Sequence, residues 1–168
     1  RPGSIRVLLV PGALGECVGE SGEPFRRGVE RLRELGYWVE TLELRGRSGT
    51  DDNAARIAEE LRKLPPDAAT PLALIGYSKG VNDALTFLHQ YPDLARRVDA
   101  LVSVAGSVNG SPLADRYAGL YSAFSGLSVP GCPAGDGQLV ASLTRPLNLR
   151  RLAENPLPTH VRYFSLGA

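Results

Sequence analysis

Short apolar runs alternate along the chain with segments whose apolar residues recur at helical spacing. The runs predict five strands, at 5–10, 37–44, 72–77, 98–105 and 161–166. They are apolar almost throughout, which is typical of parallel strands buried on both faces. We therefore expect an α/β fold: a doubly wound, mainly parallel sheet in the order 2-1-3-4-5, with helices on both faces in a three-layer α/β/α arrangement.

Three helices are predicted between the first four strands. Their expected bounds are 24–35, with Gly36 as C-cap, about 50–64, capped by Thr50, Asp51 or Asp52, and 81–91, stopped by Pro92.

The segment between the fourth and fifth strands, about 112–158, is longer than a crossover helix needs. An apolar stripe at i, i+3, i+4 spacing runs through it: Tyr117, Leu120, Tyr121, Phe124 and Leu127. It is either a lid that lines an apolar pocket, with Tyr117 and Tyr121 contacting substrate, or an ordinary crossover helix whose stripe is core. Periodicity does not separate the two interpretations. In both, residues 1–168 form one core domain.

Composition excludes several classes of protein. A formal net charge of +1 gives no reason to expect a nucleic-acid partner, and the apolar runs are too short for a transmembrane helix or a signal peptide. We expect a soluble protein, cytoplasmic rather than secreted, with neither cofactor nor metal. Cys17 and Cys132 match no metal or redox spacing, so idle thiols are favoured over a disulfide, which would imply an oxidising compartment. The chain contains no methionine, so we expect that Arg1 is not a translation start.

The stretch from Leu72 to Gly80 carries the strongest chemical signal. An apolar run leads into Gly76-Tyr77-Ser78-Lys79-Gly80, and an amphipathic segment follows it. A Gly-x-Ser-x-Gly turn between a strand and a helix is typical of a nucleophile elbow, in which a strained backbone projects the serine hydroxyl above the sheet. We therefore predict Ser78 to be a nucleophile.

Two loops meet where the winding of the predicted sheet reverses. One is Pro11 to Gly15, after the first strand, and the other is the Ser78 turn. A serine nucleophile needs backbone donors aimed at the developing oxyanion, and the amides of Ala13 and Lys79 are the candidates. Leu14 and Tyr77, from the same loops, are candidate substrate contacts. The Lys79 side chain itself is expected to be solvated.

Together these loops resemble the α/β-hydrolase superfamily, and its lipase- and esterase-like members in particular. Residues 10–15 are similar to its oxyanion loop, with proline in place of the usual histidine, and 45–49 to its Arg-Gly turn. Residues 76–80 match the elbow, and 109–115 a Gly-Ser-Pro…Ala-Asp segment of bacterial lipases. The resemblance implies an acid after the fifth strand and a histidine one strand later, so we expect a chain truncated after the fifth strand, with the missing C-terminal part of the same protein as its partner.

Neither histidine is placed to serve Ser78. His89 lies on the helix that follows the serine, about 15 Å along its axis, and His160 precedes the fifth strand, at the far edge of the sheet. Asp115 is a fallback acid, although a role in fixing its own loop is favoured, and Asp83 and Asp136 have no positional argument.

The sequence thus predicts a serine hydrolase that acts on carboxylic esters, either small molecules or lipids. An acyltransferase or thioesterase on the same scaffold would look identical, and a non-catalytic binding module is the alternative from a different class. The missing base favours the binding module, whereas the strained serine turn favours the enzyme.

Overall fold

The computed structural model describes residues 5–17, 26–65, 70–117 and 132–167. Its five strands form one sheet in the order β2-β1-β3-β4-β5, and every neighbouring pair is parallel. The predicted strand order is confirmed. The strands are β1 Arg6–Val10, β2 Trp38–Thr41, β3 Leu72–Tyr77, β4 Val98–Val104 and β5 Arg162–Leu166.

Helices connect these strands on both faces. They are α1 Arg26–Glu34, α2 Thr50–Lys63, α3 Lys79–Gln90, α4 Pro92–Ala95 and α5 Arg145–Glu154, with 3₁₀ turns at Gly15–Cys17 and Ala141–Leu143. Helix α2 begins after Gly49, and no side chain caps it. The prediction of a cap at position 50, 51 or 52 was therefore wrong. Thr50 is instead buried in the first turn, where its hydroxyl accepts a hydrogen bond from Arg151.

The core is divided by the sheet, as a three-layer arrangement requires. Leu8 and Val10 of β1 point into the larger cluster, which includes side chains of α2 and α3. Val7 and Leu9 point the other way and pack with Val29 of α1. Successive residues of a strand face opposite sides, so burial on both faces explains why β1 is apolar from Val7 to Val10.

Strand β5 differs from the others in being exposed along its whole length. Phe164 and Leu166 are 53% and 58% exposed. Within the described part of the chain, β4 is the one strand that pairs with it, so β5 leaves an open apolar edge.

The predicted lid falls largely outside the described residues, which stop at 117 and resume at 132. Residues 112–117 are helical, and Tyr117 is 44% exposed. Leu120, Tyr121, Phe124 and Leu127 lie in the part that is not described, so the choice between lid and crossover stays open. None of the helices in the described ranges is long and apolar enough to cross a membrane.

Candidate active site

Ser78 occupies the turn between β3 and α3, at φ 50° and ψ −120°. The strained backbone predicted for this serine is therefore confirmed. Gly76 makes the turn possible, because a Cβ built on it would lie 2.8 Å from Val81 Cα. A residue with a side chain is strained in this conformation, so the surrounding packing has to hold Ser78 in place.

Gly80 is needed for a contact with a different strand. A Cβ on it would overlap the carbonyl oxygens of Val10 and Pro11. The start of α3 thus lies directly against the chain leaving β1. On the next residue of that chain, a Cβ on Gly12 would stand 3.3 Å from Ser78 Cβ and 3.1 Å from Tyr77 Cδ1. The loop that carries Ala13 therefore adjoins the serine turn.

Backbone strain is concentrated at this edge of the sheet. Among the described residues, the non-glycine positions with positive φ are Leu14 at 61°, Ser78 at 50° and Ala105 at 48°. They follow β1, β3 and β4, which are adjacent in the sheet. Strained backbone of this kind clusters at functional sites. Leu14 was predicted for another reason and Ala105 was missed, since neither residue type signals a left-handed conformation.

The Lys79 side chain contradicts the expectation that it is solvated. It is fully buried, and its ammonium donates to both carboxylate oxygens of Asp83, at 2.7 and 2.8 Å. Asn53 of α2 donates a further hydrogen bond to Asp83 Oδ2, at 2.9 Å. Burial raises the pKa of Asp83 to about 6, against the opposing charge of Lys79 and the bonds from Lys79 and Asn53.

A disulfide joins Cys17 to Cys132 across 115 residues, so the expectation of idle thiols was wrong. It attaches the residues from Cys132 onward to the 3₁₀ turn after the Ala13 loop. Asp136 of the same segment, for which no role was predicted, accepts a hydrogen bond from the Gly49 amide at 2.9 Å. The segment is thereby fixed to the loops that follow β1 and β2.

The remaining titratable candidates lie elsewhere. The exposed Asp115 accepts a hydrogen bond at Oδ1 from the amide of Arg145, the first residue of α5, at 2.8 Å. A ring nitrogen of His160 lies 2.9 Å from Ala95 O, before β4. His89 lines a cavity of about 190 Å³ between α3 and α5, and Ser78 is not among the residues that line it.

We compared the chain with known protein families, curated proteins and solved structures. No protein-family model and no curated protein matches the chain, whereas solved structures do. A metagenomic carboxyl esterase is 40% identical over 99% of this chain and 50% of its own, with a TM-score of 0.90. The mature form of a Bacillus licheniformis lipase is 19% identical over 98% of this chain and 66% of its own, with a TM-score of 0.71. Phospholipase PlaB from Legionella pneumophila is 18% identical over 98% of this chain and 39% of its own, with a TM-score of 0.63.

The fold is that of an α/β hydrolase, in a chain that spans about half the length of the carboxyl esterase it matches. The chain belongs to the α/β-hydrolase superfamily, and its similarity is to esterases and lipases within it.

Proposed function

We propose that this chain carries the nucleophile and the oxyanion-binding half of a serine hydrolase that acts on carboxylic esters. The observation that supports this most directly is the conformation of Ser78, which is strained at φ 50° between a buried strand and a helix. A strained serine turn costs stability and has no structural use of its own. The 40% identity with a carboxyl esterase also supports a carboxylic ester as the substrate.

In the proposed reaction, Ser78 Oγ attacks the ester carbonyl carbon while a base takes the hydroxyl proton. The base returns that proton to the alcohol oxygen as the carbon–oxygen bond breaks, and water later hydrolyses the acyl-serine. The amide of Lys79 is the first of α3, so it has no partner within the helix. With the amide of Ala13, it would bind the oxyanion. The Ser78 amide is committed elsewhere, since it donates to Val104 O at 3.0 Å.

Substrate contacts are proposed around the same edge. Leu14 is 41% exposed and follows Ala13 directly, so its side chain is available to an acyl or alcohol group. Tyr77 adjoins Gly12, and Tyr117 and Tyr121 would contribute from the segment after β4. Leucine and tyrosine side chains would suit small-molecule and lipid esters alike.

The disulfide favours a compartment other than the cytoplasm. Cytosolic thiols are kept reduced, whereas disulfides persist in oxidising compartments. We therefore propose that the protein works outside the cytoplasm, in place of the cytoplasmic location that the sequence favoured.

Labelling with a fluorophosphonate probe tests the nucleophile without needing the natural substrate. We expect the probe to modify Ser78, and the signal to be absent in Ser78→Ala and retained in Ser107→Ala. Absence of labelling in the folded protein, both alone and extended to full length, would favour the non-catalytic binding module. Turnover of a p-nitrophenyl ester, with and without an alcohol or thiol acceptor, then separates a hydrolase from an acyltransferase or thioesterase.

A further inference from the structure

The turn at Arg45 and Gly46, which follows β2, supports the loop after β1. Gly46 accepts a hydrogen bond from the amide of Leu14, at 3.2 Å. Its own amide donates to both carboxylate oxygens of Glu16, at 2.7 and 2.8 Å. A Cβ on Gly46 would collide with the Leu14 amide and the Glu16 carboxylate. Leu14 and Glu16, which flank Gly15, are therefore both held by the backbone of Gly46.

The same turn is attached to the serine side of the site by Asn53. The amide of this side chain accepts a hydrogen bond from Arg45 N at 3.1 Å and donates to Arg45 O at 3.0 Å. It also donates to Asp83, which is paired with Lys79, the residue after Ser78. Hydrogen bonds thus run without interruption from the start of α3 to the loop after β1.

This connection is buried, and Asn53 uses both of its N–H groups in it. Asn53 is 1% exposed, and its removal would leave the Arg45 amide without its acceptor. It would also take one donor from Arg45 O, which still accepts from the Ser48 amide, and one from Asp83 Oδ2, which still accepts from Lys79. The Arg45 backbone would then be less firmly held. Leu14 is at positive φ, a conformation that persists only where neighbouring groups impose it.

Position matters here because oxyanion donors act over a narrow range of distance, about 2.7–3.1 Å. We infer that Asn53 and Glu16 are positioning residues, which hold the Ala13–Leu14 loop at a fixed place beside Ser78 by clamping the Arg45–Gly46 turn from its two sides. Neither residue touches the reacting atoms. The inference rests on the proposed function for its effect on rate, but the physical clamp can be tested without any catalysis.

Amide hydrogen exchange tests the clamp directly. In Asn53→Ala and in Glu16→Ala we expect exchange at the Leu14 and Gly46 amides to accelerate at least about ten-fold, since the hydrogen bonds that protect them open more often. Glu16→Gln keeps an acceptor for the Gly46 amide, so we expect it to restore most of the protection. Unchanged exchange at both amides in Glu16→Ala would overturn the clamp, and Glu16 is only half-buried, so this variant should fold even if Asn53→Ala does not.

Kinetics of the full-length protein test the consequence for catalysis. For a p-nitrophenyl ester we expect Asn53→Ala and Glu16→Ala to lower kcat about 10- to 100-fold, with KM within about two-fold, because a misplaced donor weakens the transition state more than the ground state. Glu16→Gln should recover most of kcat.

Arg97→Met is the matched control for lost stability. It removes hydrogen bonds to Leu61 O, Leu64 O and Pro65 O at the opposite edge of the sheet, so it should lower the melting temperature and leave kcat unchanged. An equal loss of kcat in this control, or no loss in either clamp variant, would overturn the positioning role. If the parent is inactive and Ser78 is not labelled, the proposed function fails, whereas the exchange data still decide on the clamp.

Discussion

Lys79 Nζ lies 2.7 Å from Asp83 Oδ1, and the side chains of this pair are each 1% exposed. The two residues are about one turn apart on α3, and Lys79 directly follows Ser78. Burial opposes the ionised carboxylate more strongly than Lys79 and Asn53 favour it, so the pKa of Asp83 rises to about 6. A buried ion pair of this kind is weak evidence for stability, and its cost should be measurable as a pH dependence.

We predict that Asp83 makes the folded protein less stable as the pH rises from about 4 to about 6. In that interval the folded state holds a proton on Asp83 that the unfolded state has released, so the free energy of unfolding falls with increasing pH. The contribution is present below the unfolded pKa and is lost as the pH passes the folded one. A shift of about two pKa units corresponds to at most about 3 kcal/mol.

Urea unfolding of the parent and of Asp83→Asn, between pH 4 and pH 7, would measure this contribution. The asparagine variant keeps the shape of the side chain and cannot titrate, so the difference in unfolding free energy between the two proteins isolates Asp83 from the other carboxylates. A difference that stays constant with pH would contradict the raised pKa.

The contact between α3 and the end of β1 gives a prediction at Gly80. We expect Gly80→Ala to destabilise the fold by about 3 kcal/mol or more, because the added methyl group would overlap two backbone oxygens that cannot both move away. Gly167→Ala is a suitable control, since nothing lies within 4 Å of the new Cβ. Thermal unfolding of both variants decides the matter, and equal melting temperatures would contradict the close approach.

The disulfide should contribute a large part of the stability. A bridge that spans 115 residues restricts the unfolded chain strongly, and the loop-entropy model gives about 5 kcal/mol for a loop of that size. We expect dithiothreitol to lower the unfolding free energy of the parent by this amount and to leave the double variant Cys17→Ser/Cys132→Ser unaffected. Equal sensitivity of both proteins to the reductant would show that the cysteines are not paired in solution.

Asp115 can be tested as a catalytic acid against its structural contact. Because its carboxylate binds the amide of Arg145 at the start of α5, we expect Asp115→Asn, which keeps an acceptor, to lower ester turnover by the full-length protein less than about three-fold. Asp115→Ala should cost about 1 kcal/mol of stability, because the first amide of α5 loses its acceptor. A fall in kcat of about 10³-fold or more in Asp115→Asn, with unchanged stability, would instead identify the acid.

How far the sequence predicted this molecule depends on how local each signal is. The strands and the strain at Ser78 were predicted because each has a signal within a few residues. Apolar runs indicate the strands and hence their order in the sheet, and the flanking glycines indicate the serine turn. The burial of Lys79 was missed because lysine at a helix start is ordinarily solvated. Its partner Asp83 is bonded by Asn53 only because α2 packs against α3. The disulfide was missed for a similar reason, since no spacing connects residues so far apart.

Both histidines lie far from Ser78. The ring of His160 is bonded beside Ala95, ahead of the seven-residue strand β4, whose length of about 23 Å separates it from the edge at which Ser78 lies. His89 is in the last turn of α3, about 15 Å along the helix from the serine.

We therefore expect His89→Gln and His160→Gln to leave the fluorophosphonate labelling of Ser78 unchanged, within about two-fold. Ester turnover by the 168-residue chain should be low if neither distant histidine is the base, because a triad serine that lacks a base keeps only the residual acceleration of about 10³–10⁴ over water that the oxyanion hole and binding provide. Turnover that appears in the full-length protein and is lost in Ser78→Ala would support this account. Loss of labelling in His89→Gln, at unchanged melting temperature, would show that α3 supplies the base after all.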